Sequence, residues 1–245
     1  MAATPTKVLV VDDDFDTCQN LQDILSDMGY EVDTAQDGPA ALEMVRKKAY
    51  DVALLDFKMP DMDGLTLYRE IRRLRASTVA MIVTAYSTPE TTKEALHAGA
   101  WRVMSKPIDL SQLLPLLQEA SAQPLMMVVD DDKELCENLW DLLREQGYRV
   151  CLAGDEAKAA ANLAEWDFQV VLIDMKLPSG DGRSVLKRVR DLTPNARTVL
   201  ITGYKDELTQ LVEEALRDGA DGVCYKPFDV RQLLELLQRL SHGDR

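Results

Sequence analysis

Two sets of polar residues recur along this chain in the same order and at an almost constant spacing. Asp12 and Asp13 belong to the sequence Val-Val-Asp-Asp-Asp, which returns 118 positions later at residues 128–132. Asp56 and Asp174, separated by the same interval, each end a further apolar run. The apolar residues around them are freely exchanged between the two copies. The repeat therefore preserves side chains that can do chemistry, which indicates a functional site in each half.

A hydroxyl and an ammonium group belong to each set. Thr84 and Thr202 end matching apolar runs, while Lys106 and Lys226 each precede a proline, here 120 positions apart because two residues have been inserted. Carboxylates that converge in one pocket raise one another's pKa unless a cation is present, and Mg²⁺ prefers oxygen ligands. Lysine and threonine can bind phosphoryl oxygens, which allows a carboxylate to attack phosphorus. The predicted product is an aspartyl phosphate.

The composition limits the class of protein. A chain of 245 residues suits two domains of ordinary size. The formal net charge of −14 is shared equally, because residues 1–120 contain 12 Lys and Arg against 19 Asp and Glu, and the remainder contains 16 against 23. This acidity argues against a nucleic-acid partner, which requires a basic face. Four scattered cysteines and the absence of a long apolar segment predict a reduced, cytoplasmic protein with no membrane partner.

Apolar periodicity predicts the elements that position the polar sets. Short apolar runs with polar flanks predict buried parallel strands at 7–11, 51–55, 79–83 and 101–104. Amphipathic helical segments lie between the strands in both halves, and several of them end at a glycine: Gly29, Gly99, Gly147 and Gly219. Strands that alternate with helices predict a doubly wound α/β sheet in each half.

The polar residues fall where such a sheet binds its ligands. In an open parallel sheet, ligands bind at the carboxyl ends of the strands, near the point where the strand order reverses. Asp12 and Asp13 follow the first strand, and Asp56, Thr84 and Lys106 follow three later strands. We therefore expect these side chains to meet at one edge of the first sheet and their counterparts to meet at the same edge of the second.

Neighbouring polar residues have simpler predicted roles. An aspartate after a strand often caps the next helix, and this is the role expected of Asp14 and Asp132. Asp61, Asp63 and Gly64 have the composition of a turn and are not expected to bind a metal.

The two sets, with their strand context, resemble the receiver domains of two-component response regulators, and the resemblance covers both halves almost end to end. It implies two flavodoxin-like, doubly wound, five-stranded parallel sheets in tandem: receiver domains at 1–120 and 125–245, with a short linker at 121–124. It also implies that a phosphohistidine, on a sensor histidine kinase or a histidine phosphotransfer protein, supplies the phosphoryl group. The acceptors would be Asp56 and Asp174, each with one Mg²⁺ or Mn²⁺.

The resemblance assigns a role to each matched residue. In the first half, the metal would be bound by Asp12, Asp13, Asp56 and the backbone carbonyl of Lys58. The corresponding ligands of the second half would be Asp130, Asp131, Asp174 and the backbone carbonyl of Lys176. The phosphoryl group would contact the remaining members of the two sets, Thr84 and Lys106, and Thr202 and Lys226. The prolines that follow the two lysines are expected to have cis peptide bonds.

The chain departs from the family at the aromatic residue that many receivers carry three positions before the lysine. Val103 and Val223 occupy those positions. Because valine has a single stiff side-chain torsion, we expect a small conformational response, or one transmitted mainly through the fourth helix. Tyr86 and Tyr204, together with Lys58 and Lys176, are expected to shield the acceptors and to slow hydrolysis equally at both sites.

Because the sequence ends soon after the second half, we expect no output domain, and we expect signalling to pass through protein–protein contacts. Homodimerisation through a receiver face is one such contact. We expect a response regulator that accepts phosphoryl groups and releases them, without turnover of another substrate. A phosphate sink for a shared kinase is an alternative, as is an aspartyl-phosphate-type hydrolase, although the latter needs a second acid where Lys58 and Lys176 stand. A flavin module is disfavoured by the Asp-rich first loop.

Overall fold

The computed structural model describes residues 5–85, 88–178, 180–203 and 209–241. The chain divides into two compact units, Met1–Gln123 and Pro124–Arg245. These are called the first and second unit below.

The first unit alternates strands and helices throughout. Its elements are β1 (Lys7–Val11), α1 (Phe15–Asp27), β2 (Glu31–Ala35), α2 (Gly38–Lys47), β3 (Val52–Asp56), α3 (Gly64–Leu74), β4 (Val79–Thr84), α4 (Pro89–His97), β5 (Arg102–Ser105) and α5 (Leu110–Ala122). The strands form one parallel sheet in the order β2-β1-β3-β4-β5. The strand order reverses between β1 and β3, so a ligand crevice is expected at their carboxyl ends.

The second unit repeats this arrangement and adds a small hairpin. Its elements are β6 (Leu125–Val129), α6 (Lys133–Glu145), β7 (Arg149–Ala153), α7 (Glu156–Glu165), β8 (Val170–Asp174), β9 (Lys176–Leu177), β10 (Gly180–Asp181), α8 (Gly182–Leu192), β11 (Arg197–Thr202), α9 (Thr209–Arg217), β12 (Gly222–Tyr225) and α10 (Val230–Ser241). The main sheet is parallel, in the order β7-β6-β8-β11-β12, whereas β9 and β10 pair antiparallel. Both predicted doubly wound sheets are therefore confirmed.

The central strands are apolar because both faces of each sheet are covered by helices. In the first unit, alternate residues such as Leu9 and Ile82 pack with α2, α3 and α4, while Val8 and Met81 pack with α1 and α5. The second unit has a corresponding core between its sheet and α7, α8 and α9. Each unit thus has its own core, which holds the carboxyl ends of its strands in place.

Helix ends follow the predicted signals. Asp14 and Asp132 accept hydrogen bonds from the first amides of α1 and α6, which confirms them as caps. Asp63 caps α3 in the same way. The predicted glycine ends are also confirmed, because all four have positive φ values that disfavour other residues: Gly29, Gly99, Gly147 and Gly219. The Lys106–Pro107 and Lys226–Pro227 bonds are cis, as expected.

The segment predicted as a linker, 121–124, overlaps the end of α5. That helix continues to Ala122, so Gln123 and Pro124 are the residues between α5 and β6. Within the described ranges, none of the helices combines the length and the apolar character that a bilayer crossing requires.

Candidate functional site

Three carboxylates meet at the carboxyl ends of β1 and β3. Oxygen atoms of Asp12, Asp13 and Asp56 lie within 4.8 Å of one another. Asp12 and Asp56 are buried, whereas Asp13 is exposed. We call these three residues the first acidic pocket. Their arrangement confirms that the strand ends bring together carboxylates that are far apart in sequence.

Lys106 extends into the first acidic pocket from the end of β5. Its Nζ atom lies 2.7 Å from Oδ2 of Asp12 and 2.9 Å from Oδ1 of Asp56. The Lys106 amide donates a hydrogen bond of 2.8 Å to the carbonyl of Thr84, which anchors the lysine backbone to the end of β4. One ammonium group therefore neutralises part of the charge of two buried carboxylates.

Burial and the charge of the ion-pair partner have opposite effects on the pKa values of Asp56 and Lys106. Burial raises the pKa of Asp56, and the neighbouring acids add to that effect, while Lys106 opposes it. Burial alone would lower the pKa of Lys106, but hydrogen bonds and charges from Asp12 and Asp56 outweigh it and raise the pKa above its usual value. Lys106 is consequently a cation at neutral pH.

The second acidic pocket, formed by Asp130, Asp131 and Asp174, has the same geometry. Its carboxylate oxygens also lie within 4.8 Å of one another. Lys226 Nζ lies 2.6 Å from Oδ2 of Asp130 and 2.9 Å from Oδ2 of Asp174. Burial raises the pKa of Asp130 against the opposing effect of Lys226. The recurrence of a lysine between two buried carboxylates shows that the repeat preserves an arrangement in space as well as a sequence.

Hydrogen bonds from the backbone hold the carboxylates in both pockets. The Asp14 amide donates to Oδ1 of Asp12 at 3.1 Å, and the Asp132 amide donates to Oδ1 of Asp130 at 2.9 Å. In each unit, therefore, the aspartate that caps the helix also orients the first acid of the pocket. The hydrogen bonds that Asp14 accepts from the amides of Thr17 and Asp16 lower its pKa.

The second acidic pocket opens into a cavity of about 470 Å³, which Lys176 and Gly203 also line. The Lys176 amide donates a hydrogen bond of 3.1 Å to Oδ1 of Asp174. Thr202 ends β11 and is fully buried, and its hydroxyl forms no hydrogen bond with any residue that the structure describes. A buried hydroxyl without a partner is costly.

The other predicted residues lie at the expected strand ends. Thr84 is buried at the end of β4, one residue beyond Val83, which pairs in register with Asp56. Lys58 is exposed in the loop after β3. Val103 and Val223 are half-buried and pack against the cores of their units. Tyr86 and Tyr204, predicted to shield the acceptors, lie outside the described residues.

Two glycines have a role that their sequence context did not reveal. A Cβ atom on Gly64 would lie 2.3 Å from the carbonyl oxygen of Asp56, and one on Gly182 would lie 2.5 Å from that of Asp174. Gly64 was expected to be a turn residue, but glycine at this position also allows the start of α3 to approach the backbone of Asp56. The sequence did contain a signal for this role, because the two glycines are separated by the same interval as Asp56 and Asp174.

Two buried cysteines also contact the pockets, and the sequence analysis gave them no such role. Cys18 Sγ lies 3.3 Å from the main-chain oxygen of Asp12, and Cys136 Sγ lies 3.3 Å from that of Asp130. Burial raises the thiol pKa to about 11 for Cys18 and about 12 for Cys136. The sequence signal for this role was again that the two cysteines occupy matched positions in the two halves.

The donor set of each pocket fits a divalent cation that prefers oxygen ligands. Three carboxylates converge without a thiolate or imidazole among them, which favours Mg²⁺ or Mn²⁺ over a softer metal. One ammonium group cannot balance three carboxylates, so the pocket retains negative charge that attracts a cation.

Known proteins match this chain along most of its length. The family model of the response regulator receiver domain matches twice, at residues 8–118 and 126–238. A response regulator receiver protein of Anaeromyxobacter sp. is 32% identical over 239 residues, which cover 98% of this chain and 96% of that protein. The transcriptional regulatory protein ZraR of Klebsiella oxytoca is 42% identical over 122 residues, 50% of this chain and 28% of that protein.

Solved structures align with about half of the chain. The chemotaxis protein CheY4 of Vibrio cholerae has 34% sequence identity and a TM-score of 0.46, with 48% of this chain and 99% of that chain covered. The matches do not favour a phosphate sink or a hydrolase. Because the family model covers both units, and because the relative from Anaeromyxobacter is matched almost end to end, the chain belongs to the response regulator receiver family of two-component signalling, with two receiver domains in tandem.

Proposed function

We propose that each receiver accepts a phosphoryl group from a phosphohistidine, at Asp56 in the first and Asp174 in the second, and that a divalent cation is required. The donor would be a sensor histidine kinase or a histidine phosphotransfer protein. The phosphorylated chain would then signal through protein–protein contacts, one of which would be homodimerisation through a receiver face.

One observation carries this proposal: in both receivers a lysine ammonium bridges the acceptor and a second buried carboxylate. The distances are 2.9 and 2.7 Å in the first receiver and 2.9 and 2.6 Å in the second. A structural ion pair would need only one carboxylate, whereas three carboxylates beside a single cation leave negative charge uncompensated. Such a pocket is suited to a divalent cation and a phosphoryl group together.

The transfer step follows from the positions of these groups. A carboxylate oxygen of Asp56 attacks phosphorus, the new P–O bond forms as the P–N bond to histidine breaks, and the imidazole keeps the electron pair. Lys106 is placed to contact a phosphoryl oxygen because its ammonium already touches Asp56. Thr84, buried at the end of the neighbouring strand, would donate its hydroxyl to another.

The metal would be held by Asp12, Asp13, Asp56 and the Lys58 carbonyl in the first receiver. In the second receiver, its ligands would be Asp130, Asp131, Asp174 and the Lys176 carbonyl. A bound Mg²⁺ or Mn²⁺ would neutralise charge on the phosphoryl oxygens. Thr202 and Lys226 would contact the phosphoryl group there, and the unpaired Thr202 hydroxyl supports that role. We infer no turnover of an external substrate beyond this transfer and the hydrolysis of the aspartyl phosphate.

Intact mass spectrometry tests the proposal directly. The full chain is incubated with Mg²⁺ and a small phosphodonor such as acetyl phosphate. We expect two added phosphoryl groups on the wild type, one on Asp56→Ala, one on Asp174→Ala and none on the double variant. The matched control is Asp61→Ala, which removes an exposed carboxylate near Asp56 and should still accept two groups. Addition that persists in the double variant, or in the presence of a chelator, would contradict the proposal.

A further inference from the structure

A cysteine on the first helix of each receiver lies beneath the acidic pocket. Cys18 on α1 and Cys136 on α6 are 118 residues apart, the same interval that separates the paired aspartates. Each side chain is buried, with exposed fractions of 2% and 6%. Each thiol donates a hydrogen bond to the main-chain oxygen of the first acid of its pocket, at 3.3 Å in both cases.

The accepting carbonyl lies where the sheet hydrogen bonding ends. The Asp12 amide still donates to the carbonyl of Ala35, the last residue of β2, at 3.2 Å, and the Asp130 amide donates to the carbonyl of Ala153, the last residue of β7, at 3.0 Å. The chain then turns toward the helix, so the next carbonyl has left the strand ladder. A buried carbonyl without a donor is destabilising, and the thiol provides that donor. Cys18 also approaches the Ala35 carbonyl at 3.6 Å.

This carbonyl matters because it belongs to the peptide group that joins the two metal-site acids. The Asp12 carbonyl and the Asp13 amide are parts of one planar unit. A donor that holds this plane restricts ψ of Asp12 and φ of Asp13, the two torsions that set the relative positions of their carboxylates. In the second receiver, Cys136 acts in the same way on the peptide between Asp130 and Asp131.

We propose that Cys18 and Cys136 are positioning residues for the cation sites, because their thiols hold the peptide between the paired acids in the orientation that lets both carboxylates bind one ion. The thiols do not react, since each is buried and donates to a carbonyl. This inference rests on the proposed function for its biological meaning, but it concerns cation binding and can be tested without phosphorylation.

The first measurement is the affinity for Mg²⁺, by isothermal titration calorimetry on the full chain with Asp130→Asn and Asp131→Asn to silence the second site. Cys18→Ala removes the donor, Cys18→Val removes it while filling the space, and Cys18→Ser restores a donor. Val32→Ala is the matched control, because Val32 is buried in the same core cluster as Cys18 and lies in β2, away from the carboxyl end of that strand. Melting temperatures show that each variant is folded.

We expect Cys18→Ala and Cys18→Val to weaken Mg²⁺ binding about three- to fivefold, the effect of one lost hydrogen bond, and Cys18→Ser to recover most of it. Amide hydrogen exchange at residues 12–14 of the metal-free protein should quicken in the first two variants only. If one of these two variants does not fold, the other alone decides the test. The corresponding Cys136 variants repeat the test in the second receiver.

Unchanged Mg²⁺ affinity in a folded Cys18→Ala or Cys18→Val variant would overturn the inference. An equal loss in Val32→Ala would also overturn it, because the effect would then reflect general packing of the first receiver. If the wild type binds Mg²⁺ but accepts no phosphoryl group, the proposed function fails while the calorimetric comparison still decides the role of the cysteines. If the wild type binds no Mg²⁺, both fail.

Discussion

The Nζ atom of Lys106 lies 2.9 Å from Oδ1 of Asp56, although β4 separates the strands that carry these residues. The lysine side chain therefore extends past the end of one whole strand to reach Asp56. The same relationship joins Lys226 and Asp174 across the end of β11. Because the Lys106 ammonium contacts Asp56, a change of this lysine should affect metal binding as well as phosphorylation.

Replacing Lys106 by methionine should raise the Mg²⁺ affinity of the first receiver and slow its phosphorylation. The substitution removes a cation that competes for Asp12 and Asp56, while it also removes a contact for the phosphoryl oxygens. We expect a severalfold tighter Mg²⁺ site by calorimetry and a phosphorylation rate lower by about tenfold or more, measured by intact mass. Lys47→Met, at the exposed end of α2, is the control and should change neither value. Weaker Mg²⁺ binding in Lys106→Met would show that the lysine organises the carboxylates instead of competing for them.

Gly64→Ala should distort the backbone of Asp56. The added methyl group would lie 2.3 Å from the Asp56 carbonyl oxygen, so either α3 or the end of β3 must shift. We expect a loss of about 1–3 kcal/mol in the free energy of unfolding and slower phosphorylation of Asp56. Gly182→Ala should do the same to the second receiver, where the distance is 2.5 Å.

Gly154→Ala is the control for both glycine variants, because a Cβ atom there would have no neighbour within 4 Å. Chemical denaturation and phosphorylation rates of all three variants provide the comparison. A Gly64→Ala protein that is as stable and as readily phosphorylated as Gly154→Ala would show that the backbone adapts without cost.

Low pH should lower the free energy of unfolding of the second receiver through Asp221. The matched position in the first receiver holds Trp101. Asp221 Oδ2 accepts hydrogen bonds from the Thr198 amide at 2.8 Å and from Arg190 at 3.2 Å, and Oδ1 accepts one from Arg197 at 3.0 Å. Burial alone would raise the Asp221 pKa, but these donors outweigh it and lower the pKa below its usual value. The ionised form therefore contributes stability above the unfolded-state pKa, and that contribution is lost as the pH falls through the folded-state value.

Asp221→Asn should reduce the free energy of unfolding of the second receiver by about 1–3 kcal/mol at pH 7, and the difference from wild type should shrink below about pH 4. Both proteins would carry Trp101→Phe, so that fluorescence reports only Trp140 and Trp166 of the second receiver. Asp167→Asn, an exposed substitution, should behave as wild type. A difference that is constant from pH 7 to pH 3 would show that charge does not cause the effect.

Phosphorylation should produce little change in amide exchange at β5 and β12. Val103 and Val223 pack against the cores of their receivers and have no long ring to rotate when the threonine moves. We expect changes in α4 and α9 to exceed those in the two edge strands when phosphorylated and unphosphorylated chains are compared by exchange mass spectrometry. A larger change at residues 102–105 than in α4 would contradict this expectation.

Strand positions could be predicted because the inner strands are buried on both faces. The predicted runs at 51–55, 79–83 and 101–104 differ from the observed strands by one residue at their ends, since Asp56, Thr84 and Ser105 are polar yet still lie in the ladder. Five strands were expected in each half, but no apolar run located the edge strand β2. Its sequence, Glu-Val-Asp-Thr-Ala, is only partly buried and lacks the apolar run that marked the others.

Contacts between distant backbone segments could not be predicted in the same way. The meeting of the acids and Lys106 follows from a general rule about the ends of parallel strands. The approach of Gly64 to Asp56 and the thiol hydrogen bonds of Cys18 and Cys136 depend instead on how closely individual elements pack against one another. Periodicity does not carry that information, although the recurrence of each residue in both halves indicated the positions to inspect. The β9–β10 hairpin, present only in the second unit among the described residues, left no comparable signal.

The placement of one lysine among three carboxylates also determines how the charge of each pocket can vary. Asp12, Asp13, Asp56 and Lys106 together carry a formal charge of −2. A divalent cation would cancel that charge, and conversion of one carboxylate into an acyl phosphate would then leave about −1. With two such pockets, the electrostatic field of the chain would change with every binding event, over a range of about 8 Å at physiological ionic strength. A partner with a basic surface could therefore distinguish these states by attraction alone, without any helix having to move.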